Sequence, residues 1–464
     1  MNPQLDFSPE RMREIGYRVI ELMVDHLATL RDQPVGAKAD PAQLRPALME
    51  PIPEQGTEFE AVLEQLERDV LRHTMHVNHP RFFAYVPGPS NFVSAMADAI
   101  ISGYNVFAGT WVSGSGPAAV ELAVIDWLRD ICGLPATTGG LLVSGGTMAN
   151  LTALAVARHA KLGESADRAT VYFSDQAHSS LEKALRVIGI AADNIRKQPS
   201  DAGYRLPVNG LAQRIAADRA SGKRPFCVIA NAGTTNTGAI DPLPELSRLC
   251  REQDLWLHVD GAYGAAAAAS QRGQALLTGL DLADSLSLDP HKWLFQPFEI
   301  GCVLVRDGSL LSDTFLILPD YLKDTHLHSA EFNFTDHGLQ LTRGFRALKL
   351  WMSIKVFGMA AFRAAIDRGF ELAEFTEGCL RTMPGWEIVT PAYLGIVCFR
   401  YSRADDAAHL HLVQTLLRDG FTLITSTVLR NRTVLRTCTI NPRTTEADIQ
   451  QSLARLDGFA RQLK

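Results

Sequence analysis

Short apolar runs separated by helix-length segments are the feature that most limits how this chain can fold. Such runs are typical of strands buried on both faces, and the helix-length segments between them are what parallel strands need as connections. The pattern predicts an α/β fold with a mostly parallel sheet, in which ligands bind beyond the carboxyl ends of the strands. The runs occupy residues 141–143, 171–174, 227–231, 255–259, 285–288 and 301–305.

The chain on either side of this region has a different pattern. Residues 10–31 and about 57–73 carry apolar groups at helical spacing and are joined by a proline-rich loop, which predicts helices that pack on another surface. After the α/β region, helices alternate with short strands. The predicted units are an N-terminal helical segment (1–80), a large domain (81–365) and a small C-terminal α/β domain (366–464).

The composition of the 464 residues, 46% hydrophobic and 21% charged, is typical of a globular protein with a large core. The net charge is −6 and no basic cluster occurs, which argues against nucleic-acid binding. No apolar run approaches the ~20 residues of a membrane-spanning helix, and the N-terminus lacks the pattern of a secretory signal. The seven cysteines are scattered singly, so we expect a reduced, cytoplasmic protein without a membrane segment.

Two residues at the ends of apolar runs indicate a cofactor. Lys292 follows the run at 285–288, beside His291 and Trp293, whereas most other lysines lie in polar stretches. Asp260 ends the run at 255–259. A lysine can hold the aldehyde of pyridoxal phosphate (PLP) as a Schiff base while an acid faces the pyridinium nitrogen. Asp260 could alternatively cap a helix.

A small-residue turn offers a place for the phosphate. Gly145, Gly146 and Thr147 follow the run at 141–143 and precede an apolar helix, so their backbone N–H groups could curl around an anion. The turn is neither a Walker loop nor a GxGxxG motif, and on its own it could be only a turn.

Three further residues follow strand-like runs. His178 could stack on a planar cofactor ring or act in acid–base chemistry, or it could be a surface histidine at a helix start. Thr235 could contact the ring or a carboxylate, or belong to an ordinary turn. Ala262 is small enough for a ring to approach closely.

Two groups of histidines could suggest a metal. His73, His76 and His79 lie at intervals of three, and His326 and His328 form an H-x-H pair. The first group has no acid or cysteine at ligand spacing, so we predict that the protein has no metal site.

Together these elements resemble the group II PLP-dependent decarboxylases, the family of aromatic-L-amino-acid decarboxylase, from about residue 10 to the C-terminus. The resemblance implies PLP fold type I with a seven-stranded sheet, and a homodimer whose active sites lie at the interface. The matching stretches are His79–Tyr85, Ser174–Ser180, His258–Tyr263, Asp289–Trp293 and Phe345–Trp351.

The resemblance also assigns roles by position. Lys292 would hold the cofactor, Asp260 would face its ring nitrogen, and His178 would stack on the ring and assist catalysis. The remaining cofactor contacts would come from Gly145, Gly146, Thr147, Thr235, Ala262, Asp289 and His291. The substrate pocket would be lined by Tyr85, Pro87, Phe107 and Trp111.

The implied reaction is decarboxylation of an aromatic L-amino acid, such as tryptophan, phenylalanine, tyrosine or DOPA, to the amine and CO2. One position departs from the family pattern: Phe334 stands where decarboxylases carry a loop tyrosine associated with Cα protonation. In plant relatives, phenylalanine at this position accompanies aldehyde synthases, which oxidise the product with O2. His337 lies close in sequence and could supply the proton instead.

Other activities remain open at this point. Decarboxylation of an acidic amino acid would need a cationic anchor, for which Arg81 is the candidate. An aminotransferase would need an arginine clamp for the α-carboxylate, and the motifs match decarboxylases better. A silent PLP-binding scaffold is disfavoured because Lys292, Asp260 and His178 are all present.

Overall fold

A seven-stranded sheet forms the centre of the chain in a computed structural model, which describes residues 5–317 and 331–463. Its strands are β1 (Gly139–Val143), β2 (Ala169–Ser174), β3 (Ile195–Gln198), β4 (Arg224–Asn231), β5 (Trp256–Asp260), β6 (Ser285–Leu288) and β7 (Gly301–Val305). The strand order is β1-β7-β6-β5-β4-β2-β3, and only β7 runs antiparallel to its neighbours. The prediction of a mostly parallel α/β sheet is confirmed.

Helices cover both faces of this sheet, as a parallel sheet requires. The helices of this part of the chain are α4 (Phe92–Tyr104), α5 (Trp111–Ile131), α6 (Gly146–Leu162), α7 (Ser179–Val187), α8 (Val208–Ala220), α9 (Leu243–Glu252), α10 (Gln271–Leu276), α11 (Ser309–Phe315) and the long α12 (Ala347–Thr382). Strands β2, β5, β6 and β7 are buried along their whole length, which explains why they read as continuous apolar runs.

The N-terminal segment consists of α1 (Pro9–Thr29), α2 (Pro41–Leu48) and α3 (Phe59–Asp69). Helix α1 begins where the Ser8 side chain accepts the N–H of Arg11 and Pro9 supplies a helical φ. Its amphipathic face has no buried side chain within the described chain. Its apolar residues Ile15, Val19 and Leu22 are half-buried, so this face is only partly covered, in line with the expectation that the segment packs on another surface.

The C-terminal part contains a four-stranded antiparallel sheet with two helices. Its elements are β8 (Trp386–Tyr393), β9 (Ile396–Tyr401), α13 (Asp406–Asp419), β10 (Thr425–Leu429), β11 (Arg432–Cys438) and α14 (Glu446–Ala460). Helix α14 starts in a capping box between Thr445 and Asp448, and Asp448 also pairs with Arg31 of the N-terminal segment.

Helix α12 connects the two sheets across the predicted domain boundary at 365/366. It is kinked at Gly358, which has a φ of 74° that disfavours any other residue. The predicted division into three units stays a prediction. Within residues 5–317 and 331–463, no helix combines the length and apolarity needed to cross a bilayer.

Candidate active site

The carboxyl ends of the parallel strands open into a cavity of about 410 Å³, called here the cofactor cavity. All of the predicted cofactor-binding residues line it, although they come from five different connections. These residues are Gly145, Gly146, Thr147, His178, Thr235, Asp260, Ala262, Asp289, His291 and Lys292. Their convergence is what strand-end positions in one sheet predict.

Lys292 lies in the turn after β6, with its ammonium 2.9 Å from Asp289 Oδ2. Asp289 is buried, and its Oδ1 has no hydrogen-bond partner among the described residues. His291 Nε2 lies 3.5 Å from the same carboxylate, and burial lowers the pKa of His291. The lysine is thus partly buried and held by one carboxylate at the cavity wall.

The turn before α6 leaves no space for side chains. A Cβ on Gly146 would lie 2.9 Å from both Ala262 Cβ and Asp289 Oδ2, and a Cβ on Gly301 would lie 2.4 Å from Gly145 Cα. Because α6 starts here, its first N–H groups and helix dipole face the cavity. The backbone therefore forms a cradle that fits the phosphate of PLP.

Asp260 accepts three hydrogen bonds at the floor of the cavity. Its Oδ2 accepts from Asn150 Nδ2 at 3.1 Å, and its Oδ1 accepts from Ser287 Oγ and Ala262 N, each at 3.2 Å. The three donors hold both carboxylate oxygens in place. Such a carboxylate fits the protonated ring nitrogen of PLP.

His178 begins helix α7 on another side of the cavity. Its Nδ1 accepts the backbone N–H of Ser180 at 3.2 Å and lies 2.8 Å from Ser180 Oγ. Because a backbone N–H can only donate, Nδ1 is the acceptor and Nε2 carries the proton of the neutral ring. The imidazole is thus held in one tautomer.

Four of the six other predicted residues form a second group, called here the aromatic cluster: Phe107, Trp111, Phe334 and His337. The Trp111 N–H donates to Asn333 Oδ1 at 2.9 Å, and Gly109 lies against both Phe107 and Thr335. None of the four lines the cofactor cavity of the same chain. Their assigned roles therefore stay predictions.

Phe334 and His337 are both enclosed by neighbouring residues. Phe334 is fully buried, with the Arg343 guanidinium 4.7 Å from its ring centre. His337 donates Nδ1–H to Asn333 O at 2.9 Å, and burial lowers its pKa. In this conformation the neutral ring offers Nε2 only as an acceptor, so His337 does not present a free proton.

Tyr85 and Pro87 lie on a segment that passes beside the cavity. Tyr85 is 65% exposed with a φ of 54°, whereas Pro87 is buried. The next residue, Gly88, is so close that a Cβ would lie 2.7 Å from both His291 O and the Phe298 ring. This segment therefore borders the cavity without lining it.

Two buried arginines outside the cofactor cavity, Arg81 and Arg436, have partners that the sequence did not predict. Arg81 donates to Phe421 O and Arg31 O and lies 3.7 Å from Asp448, so its charge serves the contact between the N-terminal and C-terminal parts. Arg436 was missed: it is buried, donates to Tyr85 O at 2.6 Å, and its Nη2 has no partner in the described part of the chain. The sequence signal that could have pointed to Arg436 is its position as the single charged residue in the strand-like run 434–440.

The histidine group at residues 73–79 has other partners. His79 Nε2 lies 3.1 Å from Gln33 O, and the rings of His76 and His26 meet at 4.9 Å. Among the residues that the structure describes, no three His, Cys, Asp or Glu side chains are placed to hold a metal ion. His326 and His328 lie outside the described residues.

An α/β sheet whose strand ends bring a lysine, a carboxylate and a glycine cradle around one cavity defines a PLP enzyme of fold type I. The model of the pyridoxal-dependent decarboxylase conserved domain matches residues 41–402. The chain therefore belongs to the pyridoxal-dependent decarboxylase family and is a PLP-dependent amino-acid decarboxylase.

Full-length relatives agree with this assignment. The chain is 47% identical to an aromatic-L-amino-acid decarboxylase of Bacillus atrophaeus, over 100% of this chain and 98% of the relative. A structure of Oryza sativa TDC with PLP and tryptamine superposes with a TM-score of 0.93 at 27% identity, covering 98% and 99% of the two chains. A Rhodiola rosea 4-hydroxyphenylacetaldehyde synthase follows at 0.91 and 27%, covering 99% of each chain.

Proposed function

We propose that this chain converts an aromatic L-amino acid to the corresponding amine and CO2, with Lys292 as the residue that binds the cofactor aldehyde. The convergence of Lys292, Asp260 and His178 on the cofactor cavity is the observation that carries the proposal. The aromatic preference rests on the Bacillus relative, which is similar over the whole chain.

Each residue at the cofactor cavity has a separate role in the proposed reaction. Bound PLP supplies a ring that can take up the electron pair left when CO2 departs. Asp260 would face the ring nitrogen and favour its protonated form, and the backbone of Gly145 and Gly146 would hold the phosphate. His178, with its proton on Nε2, would lie against the ring, and Asp289 orients Lys292 through the contact at 2.9 Å.

An acidic substrate has little support from the cationic residues. Arg81, the candidate anchor, is engaged with Asp448 and two backbone carbonyls. Arg436 is committed to Tyr85 O and Asn236 O through two of its three nitrogens. Neither arginine lines the cofactor cavity.

We further propose a homodimer in which the aromatic cluster of each copy completes the cavity of the other. The cluster is separate from the cavity of its own chain, yet exposed apolar side chains flank it, among them Tyr104 (82% exposed) and Val112 (69%). The exposed apolar side chains of α1, Met12, Tyr17 and Val24, add to the apolar surface that a second copy would bury. The seven cysteines are free, which supports a reducing, cytoplasmic location.

A product assay tests the proposed reaction. The purified protein with PLP is incubated with tryptophan, phenylalanine, tyrosine, DOPA and glutamate while amine, CO2, aldehyde and peroxide are measured together. Amine and CO2 in equal amounts from an aromatic substrate are expected, and Lys292→Ala should abolish both. Turnover of glutamate alone would contradict the proposal. Sedimentation analysis of the same sample should give twice the chain mass of 50.8 kDa.

An aldehyde synthase is the second candidate, favoured by Phe334 and by the similarity to the Rhodiola enzyme. That reaction would convert the amino acid, O2 and water to aldehyde, CO2, ammonia and hydrogen peroxide. If aldehyde and peroxide accumulate, Phe334→Tyr should shift the products towards amine, whereas Phe332→Tyr on the neighbouring ring should not. Because Phe334 is fully buried, thermal unfolding of both variants must be compared.

A further inference from the structure

A continuous chain of hydrogen-bonded side chains runs beneath the cofactor cavity from Trp256 to Asp260. Trp256 Nε1 lies 2.8 Å from Ser285 Oγ, and Ser285 Oγ lies 2.9 Å from His258 Nδ1. His258 Nε2 lies 3.0 Å from Asn150 Oδ1, and Asn150 Nδ2 donates to Asp260 Oδ2 at 3.1 Å. All five side chains are buried.

The sheet places these groups side by side. Residues 256, 258 and 260 alternate with apolar residues along β5, so their side chains share one face of the sheet. The neighbouring strand β6 pairs Ser285 with His258 and Ser287 with Asp260. Helix α6 brings Asn150 against the same face, where it contacts both His258 and Asp260.

The acceptor-only carboxylate of Asp260 sets the direction of every bond in the chain. Asn150 must point its NH2 group at Asp260, so its Oδ1 faces His258 and must receive an N–H. His258 therefore carries its proton on Nε2, and its bare Nδ1 accepts the hydroxyl proton of Ser285. Ser285 in turn accepts the Trp256 N–H. Burial lowers the pKa of His258 to about 4, which keeps the ring neutral at physiological pH.

The same amide also reaches the other side of the cavity. The second N–H of Asn150 Nδ2 points at Ser180 Oγ at 3.3 Å, and Ser180 Oγ lies 2.8 Å from His178 Nδ1. If the amide were reversed, its oxygen would face the Asp260 carboxylate, and Ser180 could bond to it only by turning its hydroxyl proton away from His178. The orientation of one amide thus affects both Asp260 and His178.

We infer that His258 is a positioning residue that holds the Asn150 amide with its NH2 group towards Asp260, and so keeps Asp260 an ionised partner for the ring nitrogen. The inference deepens the proposed function and rests on its assignment of Asp260. Without the His258 N–H, the Asn150 oxygen loses its donor, and only Asp260 and Ser180 still hold the amide. Where the amide reverses, Asp260 Oδ2 loses a donor and competes with the ring nitrogen for the proton.

Matched substitutions at His258 separate this role from simple packing. His258→Gln places an amide N–H near the position of Nε2, His258→Asn reaches only to the position of Nδ1, and His258→Leu fills the space without a donor. The holoenzyme is prepared with PLP labelled with 15N in the ring. The 15N chemical shift reports protonation of the ring nitrogen, and a titration with PLP gives its dissociation constant.

We expect His258→Gln to match the wild type. In His258→Leu and His258→Asn, the 15N signal should move towards the unprotonated value, and the dissociation constant should rise about threefold to tenfold, as for the loss of one hydrogen bond. If His258→Leu does not fold, His258→Asn and Asn150→Ala carry the test. A folded His258→Leu or His258→Asn variant with an unchanged 15N shift would overturn the inference.

Two control experiments separate the role of His258 from a general packing effect and from failure of the proposed function. His409→Leu makes the same change at another fully buried histidine, in the C-terminal part, and should leave the ring nitrogen unaffected. A wild-type protein whose bound ring nitrogen is unprotonated, or which forms no product from any amino acid, would contradict the proposed function itself. A normal wild type with unresponsive His258 variants would contradict only the role of His258.

Discussion

The buried ion pair between Glu121 and Arg343 gives a prediction whose magnitude follows from its contacts. Glu121 Oε1 accepts from Arg343 Nη2 at 2.5 Å and from the backbone N–H of Leu142 at 2.8 Å, and Oε2 accepts from Nη1 at 3.3 Å. The side chains are 0% and 1% exposed. In Glu121→Gln, an amide oxygen in place of Oε1 can still accept from Leu142 and from Arg343 Nη2, but the NH2 group in place of Oε2 faces the Nη1 donor of Arg343.

The substitution therefore removes charge-assisted bonds and leaves a buried guanidinium without its counter-charge. Removing one partner of a buried pair costs about 3–5 kcal/mol. Arg343 keeps its bonds to Ala108 O and Leu142 O, so we expect the lower half of that range. Arg343 also contacts the ring of Phe334 in the aromatic cluster, so the substitution should reduce turnover more than cofactor binding.

The assay is denaturant unfolding of the holoenzyme, followed by circular dichroism and by cofactor absorbance. Glu121→Leu combined with Arg343→Met replaces the pair by apolar groups and should recover much of the loss. Glu21→Gln, at a largely exposed pair with Arg18, is the control and should change little. An unfolding midpoint of Glu121→Gln equal to that of the wild type would refute the reasoning.

Three further predictions concern the cavity and its surroundings. Gly146→Ala should weaken PLP binding at least about tenfold because the added Cβ would enter the cradle, and an unchanged PLP affinity in a fluorescence titration would contradict this. As a control, Gly378→Ala adds a Cβ in open space on α12 and should stabilise the protein by about 0.5–1 kcal/mol. The pKa of His258 falls from 6.5 to about 4 on folding, so the unfolded chain binds the proton first as the pH drops. The free energy of unfolding should therefore decline by up to about 3 kcal/mol between pH 6.5 and pH 4. Thermal unfolding across that range should show a smaller decline in His258→Gln. Arg436→Lys should raise KM about tenfold with little loss of bound PLP, because it releases the Tyr85 carbonyl. An unchanged KM in steady-state kinetics would exclude a role of Arg436 in holding the Tyr85 segment.

The residues that sequence predicts well are those fixed by strand ends. The apolar runs before Gly145, Asp260 and Lys292 correspond to β1, β5 and β6, and the polar residues after them meet at one edge of the sheet. The family, the fold, the cofactor and the class of reaction are confirmed on this basis. Local sequence suffices here because topology alone brings these positions together.

Sequence predicts less where a contact depends on distant segments. Strand β3 (Ile195–Gln198) was missed because an edge strand carries polar residues such as Arg196 and Lys197. Asn150 and Arg436 act through partners more than 100 residues away, which no local pattern reveals.

The phosphate cradle is built from main chain, and this has a consequence for how such a protein can change. Because the cradle is formed by the glycines and backbone N–H groups at the start of α6, anchorage of the phosphate does not depend on the segments that carry the aromatic cluster. In the proposed dimer, substitutions at residues 105–111 or 331–337 would therefore alter which amino acid is accepted, or what becomes of the product, while the cofactor stays bound. During evolution, the substrate or the product would then change through the aromatic cluster while the residues that bind the cofactor stay the same.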